Sequence, residues 1–97
     1  MGLREAKVEK YLELEVNKLG GIVFKWKCPC KKGAPDRIVM LNGSSYYIEV
    51  KTVDGVASPE QIRFRDNIRA QQLYASIVYG RKGVDSFINT IRDLNKC

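Results

Sequence analysis

The chain has 97 residues and a mass of 11.0 kDa, 44% of them hydrophobic, which suits one small domain (1–97) with a real core and excludes wholesale disorder. Its 17 Lys and Arg outweigh 11 Asp and Glu, for +6 and a pI near 9.4; residues 1–18 are neutral, so the whole excess lies in 19–97 and points to a polyanionic partner. With no histidine, imidazole acid–base chemistry, Ser-His-Asp triads and His-ligated zinc are excluded, leaving carboxylates, lysine or a metal.

Residues 4–18 read as a helix, since Val8, Leu12, Val16 and Leu19 recur at three- and four-residue steps with Tyr11 beside them. Gly20-Gly21 stops it. Ile22 to Cys28 alternates as a strand, with Ile22, Phe24 and Trp26 on one face and Val23, Lys25 and Lys27 on the other. Cys28 to Ala34 is a loop. Asp36 to Leu41 and Ser45 to Lys51 read as a hairpin around Asn42-Gly43, both of which tolerate positive φ.

Ser58-Pro59-Glu60-Gln61 starts a second helix, with Ser58 as N-cap, Pro59 at the first helical position and Gln61 placed for a capping box; it runs to about Leu73. Tyr74 to Tyr79 is a strand stopped by Gly80. Asp85 to Asn95 is a closing helix striped with Phe87, Ile88, Ile91 and Leu94. The order αβββαβα predicts an α/β fold with a mixed sheet. The hairpin is antiparallel, and the helical crossover returns the fourth strand parallel to the third.

Strand parity gathers the chemistry in the hairpin. Tyr47, Glu49 and Lys51 share one face of the third strand, and Ile48 and Val50 the other. A two-residue turn sets Asp36 opposite Glu49, and a four-residue turn sets it opposite Lys51. Either way Asp36, Glu49 and Lys51 meet on one surface. Two carboxylates with an ammonium suit a hard cation, Mg²⁺ or Mn²⁺, and phosphate chemistry. The competing reading is an exposed polar strand face with a weak Glu49–Lys51 pair.

Gly33-Ala34-Pro35-Asp36-Arg37, a hairpin, then Ile48-Glu49-Val50-Lys51 resembles the PD-(D/E)XK nuclease signature, and more narrowly a stand-alone VRR-NUC domain of phage and bacterial type. The glutamates of the first helix, Gly20-Gly21, Lys25/Lys27 and Gln61 extend the likeness over roughly residues 5–80. The resemblance implies a restriction-endonuclease-like αβββαβ core plus the C-terminal helix. It implies Asp36, Glu49 and the Val50 carbonyl as metal ligands and Lys51 as the residue orienting the attacking water. A first-helix glutamate completes the site, Glu9 before Glu5 and Glu13. Gln61 serves either at the rim of the site or only in its capping box.

Lys25, Lys27, Lys31 and Lys32 around Trp26, with Arg37, form a candidate DNA-contacting patch. Arg65 and Arg69 share a face of the second helix. Cys28-Pro29-Cys30 and Cys97, without histidine, do not make a four-ligand zinc site. Three cysteines do not make a disulfide framework and fit a reducing compartment. Met1 to Lys10 is charged, and no apolar run nears the ~20 residues of a bilayer span, so a cytoplasmic, unsecreted protein with no membrane partner is expected.

The expected function is a Mg²⁺- or Mn²⁺-dependent endodeoxyribonuclease that recognises DNA shape. By resemblance it resolves four-way junctions or other branched DNA as a homodimer, with Phe87, Ile88, Ile91, Leu94 and Ile77-Val78-Tyr79 supplying the self-complementary patch. The alternatives are a nickase or flap nuclease and, in a different class, a non-catalytic basic nucleic-acid-binding module.

Overall fold

The computed structural model describes residues 4–27 and 32–95. The predicted alternation is present in full: α1 (Glu5–Lys18), β1 (Ile22–Lys25), β2 (Arg37–Leu41), β3 (Ser44–Lys51), α2 (Pro59–Ala70), β4 (Tyr74–Tyr79) and α3 (Gly80–Leu94). Val8, Leu12 and Val16 form one fully buried stripe of α1. The helix closes with Gly20 N–H donating to the Asn17 carbonyl and Gly21 N–H to that of Val16, the two bonds of a Schellman motif.

The strands form one sheet in the order β1-β2-β3-β4. The first two pairings are antiparallel, and β3 pairs with β4 in parallel, as the crossover requires. Asn42 at φ 50° and Gly43 at φ 83° make a two-residue turn, with Leu41 opposite Ser44 and Arg37 opposite Ile48. Positive φ at both central residues matches the strand twist of such hairpins.

One sheet face, built from Val39, Leu41, Tyr46, Ile48, Val50 and Val78, packs on α1 and on Val84, Phe87, Ile88 and Ile91 of α3. The rings of Tyr46, Tyr74 and Phe87 join this core, Tyr46 edge-on to the other two and Tyr74 tilted against Phe87. α2 lies over the opposite face, where Phe64 meets Trp26 and Trp26 meets Tyr47. α2 buries no residue fully, so this second layer is thin.

Three boundaries differ from the sequence reading. β1 ends at Lys25 rather than Cys28: beyond the Lys25–Arg37 pair the contact continues, among the described residues, in a single backbone bond, Trp26 N–H donating to the Asp36 carbonyl at 2.8 Å. α2 ends at Ala70, not Leu73, because Gln72 turns into the left-handed region at φ 63° and closes the helix as Gly20 closes α1. α3 begins at Gly80, five residues before Asp85, directly from the end of β4. Gly83 permits this, since a Cβ there would stand 3.2 Å from the Val78 carbonyl carbon.

The closing helix also departs from its expected role. Phe87, Ile88, Ile91 and Val78 are buried in the chain's own core, and only Leu94, 63% exposed, stands clear with Tyr79. The apolar stripe of α3 is covered within the monomer, so the dimer patch expected there is consumed. No described helix is long and apolar enough to cross a membrane.

Candidate active site

The two-residue turn decides the alignment left open by the sequence. Continued by one pair beyond Arg37 and Ile48, the register sets Asp36 opposite Glu49, whose carboxyl feels the Asp36 charge. The paired ladder of β3 with β2 ends at Arg37–Ile48, while β4 accompanies β3 to Lys51. The backbone from Glu49 to Lys51, with the Val50 carbonyl, is therefore paired along one side only. Lys51 shares the Glu49 face, and its charge acts on Glu49. In the parallel register Tyr79 is the neighbour of Lys51.

Glu49 is 7% exposed, which rules out the solvated polar face. Burial, and then the charge of Asp36, pushes its carboxyl up to about 7, against the partial relief of Lys51. A group with such proton affinity has an unmet need for positive charge.

Glu9 reaches this site from α1. Its Oε2 accepts from Arg37 Nη2 at 2.6 Å. Burial first, and then Asp36 and Glu5, raise its carboxyl, and Arg37 pulls the other way. Glu5 and Glu13 are both exposed, but Glu5, one turn before Glu9, is felt by both Glu9 and Glu49.

Gln61 is held in the capping box. Its Oε1 accepts from Ser58 N–H at 2.9 Å, and its own N–H donates to Ser58 Oγ at 3.1 Å. The same helix end supports the Asp36 loop. A Cβ on Gly33, which sits at φ 91°, would come within 2.4 Å of the Glu60 carbonyl. Loop and helix thus touch backbone to backbone just before Pro35-Asp36.

The basic patch divides. Lys25, Lys27 and Lys32 are exposed, Lys32 with Glu60 at 3.9 Å. Lys31, like Cys28, Cys30 and Cys97, lies outside the described residues. Arg37 does not belong to a solvent-facing patch. It is 8% exposed, since its parity in β2 is that of Val39 and Leu41, toward the core. A charged residue at core parity was the available signal that it serves a buried partner instead. On α2, Arg69 Nε donates to the Ala75 carbonyl at 2.8 Å, and Arg65 pairs with Asp66 at 3.1 Å.

The donor set fits a hard divalent cation. All of it is oxygen, and Asp36 Oδ1 is buried without a hydrogen-bond partner, an acceptor that a cation would satisfy. No three His, Cys, Asp or Glu side chains among the described residues are gathered to hold an ion by themselves. Mg²⁺ needs only one or two carboxylates and fills the rest of its shell with water and phosphate oxygens.

No protein-family model matches the chain. Its fold superposes on a solved VRR_NUC domain with a TM-score of 0.81 and 32% identity, over 88% of this chain and 94% of that one. A second VRR_NUC domain protein gives a TM-score of 0.68 at 19% identity, over 95% and 88%. Hjc of Archaeoglobus fulgidus, a Holliday junction resolvase, gives 0.59 at 17%, over 77% and 67%. These last two show a shared fold. In sequence, the "Putative nuclease p44" of Acyrthosiphon pisum secondary endosymbiont phage 1 is 42% identical over 62 residues, 63% of this chain and 67% of that protein. Near-complete coverage of a VRR_NUC domain, together with this phage relative, places the chain in the VRR_NUC family of nucleases, enzymes that hydrolyse phosphodiester bonds.

Proposed function

We propose that the chain is a Mg²⁺- or Mn²⁺-dependent endodeoxyribonuclease acting on branched DNA, four-way junctions above all, as a homodimer. The observation that carries the metal reading is the facing pair Asp36 and Glu49, with Asp36 Oδ1 buried and unpartnered. These two carboxylates, with the Val50 carbonyl, would hold the cation. When bound, such an ion polarises the scissile phosphate and makes water a better nucleophile. Lys51 orients the attacking water and offsets negative charge developing on the phosphate. Glu9 completes the acidic wall of the site. Exposed Lys25, Lys27 and Lys32 supply sequence-independent phosphate contacts.

The junction preference is supported by the fold shared with Hjc. Paired incisions need two sites, and a two-fold dimer matches the symmetry of a junction. Its contact must lie outside the consumed stripe of α3. The test is cleavage of end-labelled four-way junction, flap and linear duplex in Mg²⁺ and in EDTA. Paired nicks in the junction, abolished by EDTA, are expected. Cleavage of a flap alone, or a single nick, would replace junction resolution by a flap nuclease or nickase. Full activity in excess EDTA would overturn the metal mechanism.

A further inference from the structure

We propose that Arg37 is a positioning residue of the metal site, one guanidinium that fastens Glu9 of α1 to Asp36 and so presents the first-helix carboxylate to the Asp36–Glu49 pair. This role rests on the reading of Asp36 and Glu49 as ligands given above. A guanidinium on the core side of β2, 8% exposed, must have its donors satisfied by protein groups. Nη2 donates to Glu9 Oε2 at 2.6 Å, Nη1 donates to the Asp36 carbonyl at 3.0 Å, and Nη1 stands 3.5 Å from Asp36 Oδ2.

Each contact has a consequence at the site. The Asp36 carbonyl also accepts from Trp26 N–H, so two donors pin its peptide. Asp36 Oδ2 is turned toward Arg37 while Oδ1 remains without a partner, which leaves one oxygen held and the other free for a cation. Glu9, 28 residues away on another element, is joined to the hairpin through this fork. A lysine would keep the charge but not the planar, two-armed geometry. Groups that orient metal ligands from behind commonly govern affinity by 10–100-fold.

The test is calorimetric titration of the purified full chain with Mn²⁺, together with the Mn²⁺-induced shift in thermal midpoint. Wild type, Arg37→Met, Arg37→Lys, Glu9→Gln and the double variant Arg37→Met/Glu9→Gln are compared. Arg37→Met should weaken Mn²⁺ binding by about 10-fold or more, Arg37→Lys should weaken it less, and the double variant should bind no worse than Glu9→Gln alone. Wild-type or tighter binding by folded Arg37→Met would overturn the role, tighter binding being the result if Arg37 only repels the cation. Fully additive losses would also overturn it. Should Arg37→Met fail to fold, unchanged affinity in Arg37→Lys overturns the role and weakened affinity supports it. Failure of the wild type to bind Mn²⁺ would overturn the metal site and this role with it, whereas normal wild-type binding with unaffected variants overturns this role alone.

Discussion

Glu49 links the fold's stability to proton binding. Its carboxyl, raised from the usual 4.5 to about 7 by burial and by Asp36, binds its proton more tightly in the folded chain than in the unfolded one. Between these two values the folded state therefore holds more protons, and metal-free stability falls as pH rises. The loss amounts to up to about 3 kcal/mol at 1.4 kcal/mol per unit. Thermal melts in EDTA should show a higher midpoint at pH 5 than at pH 7.5, and Glu49→Gln, neutral throughout, should flatten the trend. A rising midpoint in the wild type would contradict this assignment. The role proposed for Lys51 lies in turnover instead. Lys51→Ala removes, at a strand end, the cation proposed to orient the attacking water, and should slow cleavage by about 100-fold or more. The circular dichroism spectrum should be unchanged. Near-normal cleavage by the folded variant would refute its role.

At the scale of elements, two junctions decide how well the site is held. Gly33 lies against the Glu60 carbonyl in a positive-φ conformation. Gly33→Ala meets both a steric clash and a backbone penalty, each on the order of 1–3 kcal/mol. Pushing the loop from α2 should displace Asp36, so both thermal midpoint and cleavage rate should drop. A loss of stability with full activity would show that Asp36 does not depend on this contact. At the other end of α2, Gln72 occupies the left-handed region at φ 63°. Gln72→Gly relieves that strain and should raise stability by about 1 kcal/mol, read as a shift in the denaturant midpoint. The same residue explains why the end of α2 was not legible, for the left-handed closure is carried by a glutamine rather than the glycine that signals it. The start of α3 was misplaced for the converse reason. Gly80 and Gly83 look like breakers, yet they allow the helix to leave β4 at once and pack on its backbone.

The whole molecule spans 36 × 36 × 19 Å, a slab with one well-filled layer between sheet and α1/α3 and a thinner one under α2. The fully buried Leu12 is central to the filled layer. Leu12→Ala should cost about 2–5 kcal/mol, measured by denaturant unfolding. It should also loosen α1, the helix that carries Glu9. The thin side leaves Ile22 and Phe24 of the edge strand about half exposed, at 50% and 48%. Sedimentation equilibrium at micromolar protein, with and without junction DNA, should show a dimer. A strict monomer under both conditions would remove the paired-incision mechanism and favour a nickase.

The order of elements, the parity that sets Asp36, Glu49 and Lys51 on one face, and the caps at Gly20 and Ser58 were all determined by the sequence, because they are short-range properties of side-chain period and turn chemistry. The hairpin turn was legible as Asn42-Gly43, but the opposition of Asp36 and Glu49 needed the observed register. Only the tertiary structure decided what lay across long separations. It turned Arg37 inward onto Glu9, pressed Gly33 onto Glu60, and spent Phe87, Ile88 and Ile91 on the monomer core. Those outcomes depend on which faces remain to be covered once the chain has folded back on itself, and no local pattern of residues carries that information.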